Sequence, residues 1–391
     1  MTKKFSLFIT LFCACFSGAF AVDISHLSAD LQDKIAHKEA AIEAGRKRQK
    51  YDFVGEISLS GGVERSRADN TDWEQTKNAG ANFSQDLFRS GGIIASVRQA
   101  EFWAESEKLR LTQEINGYLR DLTTLVLQTR QDETRLTQNE LSIKNAEIAL
   151  FIKRRQYEAG EADITQLNDA LKAKNNAQKS RLELLNAKRS RLEEIAKISP
   201  LTPEKIAVDD YPAIAPEQFA ANSIAVKLAK VAAKSAKEQT RLTISSFLPT
   251  LRANAGASWR ENALAENKGY NYGLSLSMPL SFTEKWAIEE KKLEALRADS
   301  EERAAVEESR RIYAQSLSAS EALEKQIAVS EENIALYDSL IAVTRAQAES
   351  GDRSKFDLET LQNSRESDIL DIEIAKLSLI IERAKLFYAT N

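Results

Sequence analysis

The chain has 391 residues, with 58 acidic and 54 basic side chains for a formal net charge of -4, so it is mildly acidic and offers no basic patch to a nucleic acid. Its two histidines, His26 and His37, are eleven apart in the first mature helix and do not converge by local spacing, and no nucleophile elbow, phosphate loop, dinucleotide glycine pattern or zinc motif occurs. The sequence therefore predicts no enzyme, no cofactor and no metal site. Carboxylates are abundant, but they alternate with Lys and Arg as solvated helix faces do.

Residues 1–21 have the form of a cleaved secretory signal: Lys3 and Lys4, an apolar run over 5–16, then Ala19, Phe20 and Ala21. The apolar core is too short to span a bilayer as an anchor. Cys13 and Cys15 both lie within it, in surroundings that fit a lipid-anchored cysteine poorly, so the mature chain is expected to be cysteine-free. Losing two lysines also moves the formal charge to about -6.

The mature sequence reads as one unit written twice. RRQYEAGEADITQL, around Gly160, returns as TRAQAESGDRSKFDL around Gly351, and EISLSGGVER, from Glu56, returns as TLRANAGASWR from Thr250. The first repeat, 22–198, is expected to contain a helix over 24–48, a β-hairpin over 55–84, a long helix over 90–158 and a returning helix over 163–198. A linker over 199–215 follows. The second repeat, 216–391, is expected to hold a helix over 216–247, a β-hairpin over 250–279, a long helix over 284–350 and a returning helix over 354–388. Both long segments lack proline and repeat apolar residues every three to four positions, as at Leu119, Leu122 and Val126 or Leu323, Ile327 and Ile334. Such helices extend roughly 100 Å at 1.5 Å per residue, so each needs a partner of equal length. In each copy two shorter helices stacked end to end supply about that length.

The strands alternate cleanly in the second copy. Leu251, Ala253, Ala255, Ala257 and Trp259 oppose Arg252, Asn254 and Ser258; Tyr270, Tyr272, Leu274, Leu276 and Met278 oppose Asn271, Gly273, Ser275 and Ser277. The first copy is weaker, with Ile57, Leu59 and Val63 and then Ala79, Ala81 and Phe83 on the apolar side. Runs of about nine residues suit either a tilted strand crossing an outer membrane or two hairpins on a soluble sheet. Four strands cannot hide their backbone edges in lipid, so a membrane reading requires several chains to close a barrel. Leu251, Trp259, Tyr270, Tyr272, Leu274 and Leu276 are the candidate lipid-facing residues. The hairpin tips, 65–75 and 260–268, are polar. Phe83, Phe88, Phe282 and Trp286 join Trp259 and Tyr270 at strand ends, as an aromatic girdle or as packing at a strand–helix junction, the latter above all for Phe88 and Trp286.

In these features the chain resembles the TolC-like outer-membrane efflux proteins over nearly all of its mature length. SMPLSF at 277–282 is similar to the family's strand-to-helix junction; SQDLFRSGG at 84–92 keeps the Leu-Phe and paired glycines but has Asp86 where proline is usual. Tyr157 to Gly160 matches the tip signature, Gly351 repeats it with Ala348 in place of the aromatic, and LELLNAKRSRLEEIAKI from Leu182 is similar to the returning helix. The resemblance implies a mainly α fold with a small membrane β-barrel contribution: duplicated long α-helical hairpins, four amphipathic strands per chain, and a homotrimeric α/β-barrel tunnel in the outer membrane of a Gram-negative bacterium, extending into the periplasm. It implies passive export, with a periplasmic adaptor protein and an inner-membrane pump as partners, besides outer-membrane lipid. Drugs, metal ions and secreted polypeptides all leave through this architecture.

The glycine turns are then the inner mouth. Tyr157, Gly160 and Gly351 are the candidate adaptor contacts. Arg353 and Asp357 align with family positions that narrow the pore, and Glu161, Asp163 and Asp352 complete the candidate constriction. Plain helix capping is the other reading: Asp163 followed by Gln166 fits a cap, and Asp357 lies in the first turn after Ser354. Thr360 stands where a second acidic ring would need a carboxylate. The rival function is a structural or adhesive periplasmic coiled-coil protein without channel activity.

Overall fold

The computed structural model describes residues 23–67, 73–208, 211–262 and 265–390; the signal expected at 1–21 and parts of both hairpin tips lie outside them. In chain order the elements are α1 (Ala29–Lys50), β1 (Ile57–Ser66), β2 (Glu74–Phe88), α2 (Gly92–Glu158), α3 (Ile164–Ile198), α4 (Pro216–Asn222), α5 (Ile224–Ser246), β3 (Thr250–Glu261), β4 (Glu266–Ser277), α6 (Glu284–Ser350) and α7 (Lys355–Thr390). Both long helices run 67 residues without a break. The chain forms two compact units, and neither follows a sequence repeat: one draws on residues 35–113 and 220–309, the other on 1–34, 114–219 and 310–391.

The first unit contains the sheet. Its order is β1-β2-β3-β4, antiparallel throughout, so the hairpins of the two copies join through β2 and β3. Below the sheet the helices approach closely because small side chains meet there: Ala95, Ala100, Ala104, Ala233 and Ala295 are buried, and a Cβ on Gly45 would stand 2.4 Å from the Trp103 ring. Lys108 reaches Glu43 at 2.7 Å and Arg46 reaches Glu101 at 3.2 Å between α1 and α2. The Lys108 hydrogen bond holds the Glu43 carboxyl below the usual carboxylate range.

The second unit buries Leu122, Val126 and Leu127 of α2 together with Ile195, Ile206, Phe219 and Ala384 in its core. A hydroxyl cluster closes it: Thr123, Tyr211 and Tyr388 lie within 3.1–3.3 Å of one another, and Asn116 donates to the Tyr388 carbonyl at 3.0 Å. Within the linker, Ile206 is fully buried, and Arg130 donates to its carbonyl at 3.1 Å. Here the start of α1 meets the end of α3, where Ser28 N donates to the Ile198 carbonyl at 2.8 Å. Pairs along α2 and α3 run antiparallel: Arg191 with Asp132, Lys188 with Glu133, Arg181 with Glu140, and Lys174 with Glu147.

Three elements differ from the sequence expectation. His26 lies in a short 3-10 turn, Ile24–His26, ahead of α1; Asp23 caps that turn and its N–H bonds His26 Nδ1 at 3.1 Å. The helix expected over 216–247 breaks at Ser223, whose non-helical backbone, at φ -51° and ψ 129°, separates α4 from α5; Asn222 and Ser223 both favour caps over helix interiors. Strand β2 runs to Phe88 instead of ending near 84. Asp86 carries the backbone N–H that a proline there would lack, pairs with Arg252 in the ladder, and is followed by a register shift before Phe88.

Candidate functional site

The register decides which residues share a face of the sheet. Side chains directly opposite in an antiparallel ladder point the same way. Ile57 lies opposite Phe83, Phe83 opposite Ala255, and Ala255 opposite Tyr272; one row on, Leu59, Ala81, Ala257 and Tyr270 align in turn. Leu251 meets Leu276 and Ala253 meets Leu274. One face is therefore apolar across all four strands, and Tyr272 is 91% exposed on it. Leu251 and Trp259, on an inner strand, are partly covered, and Trp259 donates from Nε1 to Glu266 at 2.9 Å. The two adjacent apolar rows are flanked on the same face by Gln85 opposite Ala253 and by Lys268 opposite Trp259, and an exposed apolar band that crosses four strands needs a partner or lipid to cover it.

The opposite face is polar. Ser58, Asn82, Gly256 and Asn271 form one row, and the Asn82 and Asn271 side chains meet over Gly256, where a Cβ would come within 2.5 Å of Asn271. Asn254 donates to Ser275 at 3.0 Å, and Arg252 to Asp86 at 2.7 Å. At the helix junctions Phe88, Phe282 and Trp286 are all exposed, so packing within the chain does not account for them. The turn into α2 uses left-handed Ser90 and Gly91 at φ 47° and 87°.

At the other ends of the long helices the two turns are copies in detail. Gly160 has φ 77° and Gly351 φ 85°, and a Cβ on either would meet nothing, so the demand for glycine is conformational. In the first, Glu161 and Ala162 N–H groups donate to the Gln156 carbonyl; in the second, Asp352 and Arg353 do the same to Gln347. Asp163 caps α3, its carboxylate accepting from Gln166 N at 2.8 Å, and Ser354 fills the equivalent place, accepting from Phe356 N at 3.1 Å. Asp163→Ala is expected to cost about 1 kcal/mol at this terminus, read as faster amide exchange over 164–166.

Tyr157, Glu161, Asp352 and Arg353 are exposed beside these turns, and Asp352 accepts from Ser350 Oγ at 2.7 Å. Arg353 stands 4.0 Å from Asp357 one turn along, a solvent-exposed pair of little energetic weight within one chain. The structure thus brings Tyr157, Gly160, Glu161 and Asp163 together at one turn, and Gly351, Asp352, Arg353 and Asp357 at the other. Sequence reasoning missed Phe151, whose ring packs tilted against Phe356 with centroids 5.3 Å apart and so links α2 to the first turn of α7. Phe356, a lone aromatic just after the cap where the first copy has Thr165, was the available signal. It also missed an apolar groove lined by Leu150, Phe151, Ile164, Leu167 and Leu171. Among the described residues no helix is long and apolar enough to cross a membrane, and no three His, Cys, Asp or Glu side chains are placed to hold a metal ion.

The chain belongs to the outer membrane efflux protein family, which matches residues 27–201 and 215–391. Its fold is similar to VceC of Vibrio cholerae, at 12% identity and a TM-score of 0.73 over 91% of this chain and 93% of that one. It is also similar to the CmeC outer membrane channel of Campylobacter jejuni, at 11% identity and 0.74 over 93% and 83%, and to the open MtrE channel of Neisseria gonorrhoeae, at 13% and 0.66 over 92% and 84%. No curated protein sequence matches the chain significantly.

Proposed function

We propose that three copies of this chain form a passive efflux channel in the outer membrane of a Gram-negative bacterium, receiving cargo from a periplasmic adaptor protein and an inner-membrane pump. The observation that carries the reading is the sheet. An apolar band crosses all four strands of one face, and β1 and β4 have no partner on their outer edges among the described residues. Edges of that kind are tolerated in lipid only if other strands close them, and three copies give a twelve-stranded barrel. The helices favour the same closure. α3 exposes Ile164, Leu171, Leu185 and Leu192, at steps of seven, fourteen and seven residues, and α6 exposes Val329, Leu336 and Val343, at steps of seven, seams that one copy can offer to the next.

In the closed assembly the polar face lines the lumen, and Tyr157, Gly160 and Gly351 at the helical tips meet the adaptor. Glu161, Asp163, Asp352 and Asp357, repeated around the axis, make the mouth acidic and favour cations. Asp357→Ala is expected to lower cation selectivity in planar bilayers, and Arg353→Ser to raise conductance; two variants indistinguishable from the parent would leave these residues as helix caps only. Cell fractionation tests the whole reading. A heat-modifiable trimer in the outer membrane is the expected result, whereas a soluble elongated monomer would establish the structural or adhesive coiled-coil alternative.

A further inference from the structure

On α7, Asp368 and Asp371 stand three residues apart and so share a face of the helix. Two other helices of the same compact unit cover them. Gln138 of α2 donates to Asp371 at 2.9 Å and to Ser367 Oγ at 3.0 Å, and Asn333 of α6 hydrogen-bonds Asp368. Both partners are neutral. Nearby, Asn363 donates to Asn145 of α2 at 2.8 Å, and Asp338 of α6 is already paired with Arg365 at 2.6 Å. Asp368 Oδ2 is buried without a hydrogen-bond partner, and among the described residues the charge that bears on Asp368 is that of Asp371.

One oxygen of this half-buried carboxylate is held away from water and beside a like charge, and the neutral Asn333 is the partner that favours its charged form. Its protonated form leaves one O–H unpaired, which costs far less than an unpaired charge. We propose that Asp368 and Asp371 form a proton-operated latch, which holds α7 against α2 and α6 while Asp368 is protonated and loosens the helix when it ionises. Burial first, and Asp371 second, push the Asp368 carboxyl above the usual carboxylate range. For an acid raised in the folded state, stability is greatest at acid pH and falls as pH rises from the ordinary Asp range through the raised value.

The latch sits eleven residues from Asp357, or about three turns and roughly 16 Å along α7. Resting on the channel reading, this makes loosening at Asp368 a means of freeing the tunnel mouth as pH rises. Two measurements on the full-length protein separate the claims. Amide exchange over 364–372, corrected for intrinsic rates, is expected to quicken several-fold between pH 5 and pH 8 in the parent. It should be slow and flat in Asp368→Asn, and in Asp371→Asn the transition should move to lower pH. Channel opening in planar bilayers should follow the same order. If the channel reading fails, the exchange result still stands by itself. Exchange independent of pH in the parent, or parental pH dependence retained in Asp368→Asn, would overturn the latch.

Discussion

Leu274→Arg is expected to lower the yield of membrane-assembled protein by the equivalent of roughly 2 to 4 kcal/mol, the cost of a guanidinium facing lipid near the bilayer midplane. Leu274 lies on β4 opposite Ala253, between Tyr272 and Leu276, and 69% of its surface is exposed in the single chain. The neighbouring Ser275 points to the other face, where it accepts from Asn254 and lies opposite Arg252. Ser275→Arg should therefore assemble almost normally and change conductance, since it adds a second guanidinium beside Arg252 on the polar side. Quantifying trimers from outer membranes compares the two. Equal yields would show that the apolar face meets something other than lipid.

The second large effect lies between α2 and α3. Asp132 has only 1% of its side chain exposed and is held by Arg191, with Arg135 at 3.7 Å; Arg191 also donates to Gln128 at 3.3 Å. Arg191→Met leaves a buried carboxylate without its main partner, a change worth about 3 to 5 kcal/mol when nothing replaces the lost charge. Arg135 remains, which places the expected loss at the lower end. The double variant Asp132→Met with Arg191→Met should recover most of it, because removing both charges also removes the desolvation penalty. Urea unfolding of the detergent-solubilised protein is the measurement. A loss below about 1 kcal/mol in the single variant would mean that water reaches Asp132 and the pair is an ordinary surface one.

That pair also marks where sequence reading stopped. Periodicity located the long helices, alternation assigned the sheet faces, and the Gly160 and Gly351 turns with the Asp163 cap followed from local backbone chemistry. Each of these is set by residues a few positions apart. Asp132 and Arg191 are 59 positions apart, and spacing reveals only that a charge shares a face with its neighbours, not that another helix covers that face. Asp368 was hidden for the same reason, as one more acid in a charged helix. The break at Ser223 and the extension of β2 through Asp86 were local but ambiguous. Ser occurs inside helices as well as at caps, and an aspartate in place of proline permits a longer strand without requiring one.

The division into compact units bears on how the chain folds. Each unit is completed only by residues from both halves of the sequence: the sheet waits for β3 and β4, some 170 residues after β2, and the hydroxyl cluster waits for Tyr388 near the end of the described chain. A newly made N-terminal half therefore holds an exposed apolar hairpin until β3 and β4 follow, and its folding depends on distant pairings, which are slow to form. Duplication of the gene segment did not leave two independent modules. Expressed alone, residues 22–198 should aggregate or require a chaperone, while co-expression with residues 199–391 should rescue them by supplying the missing strands.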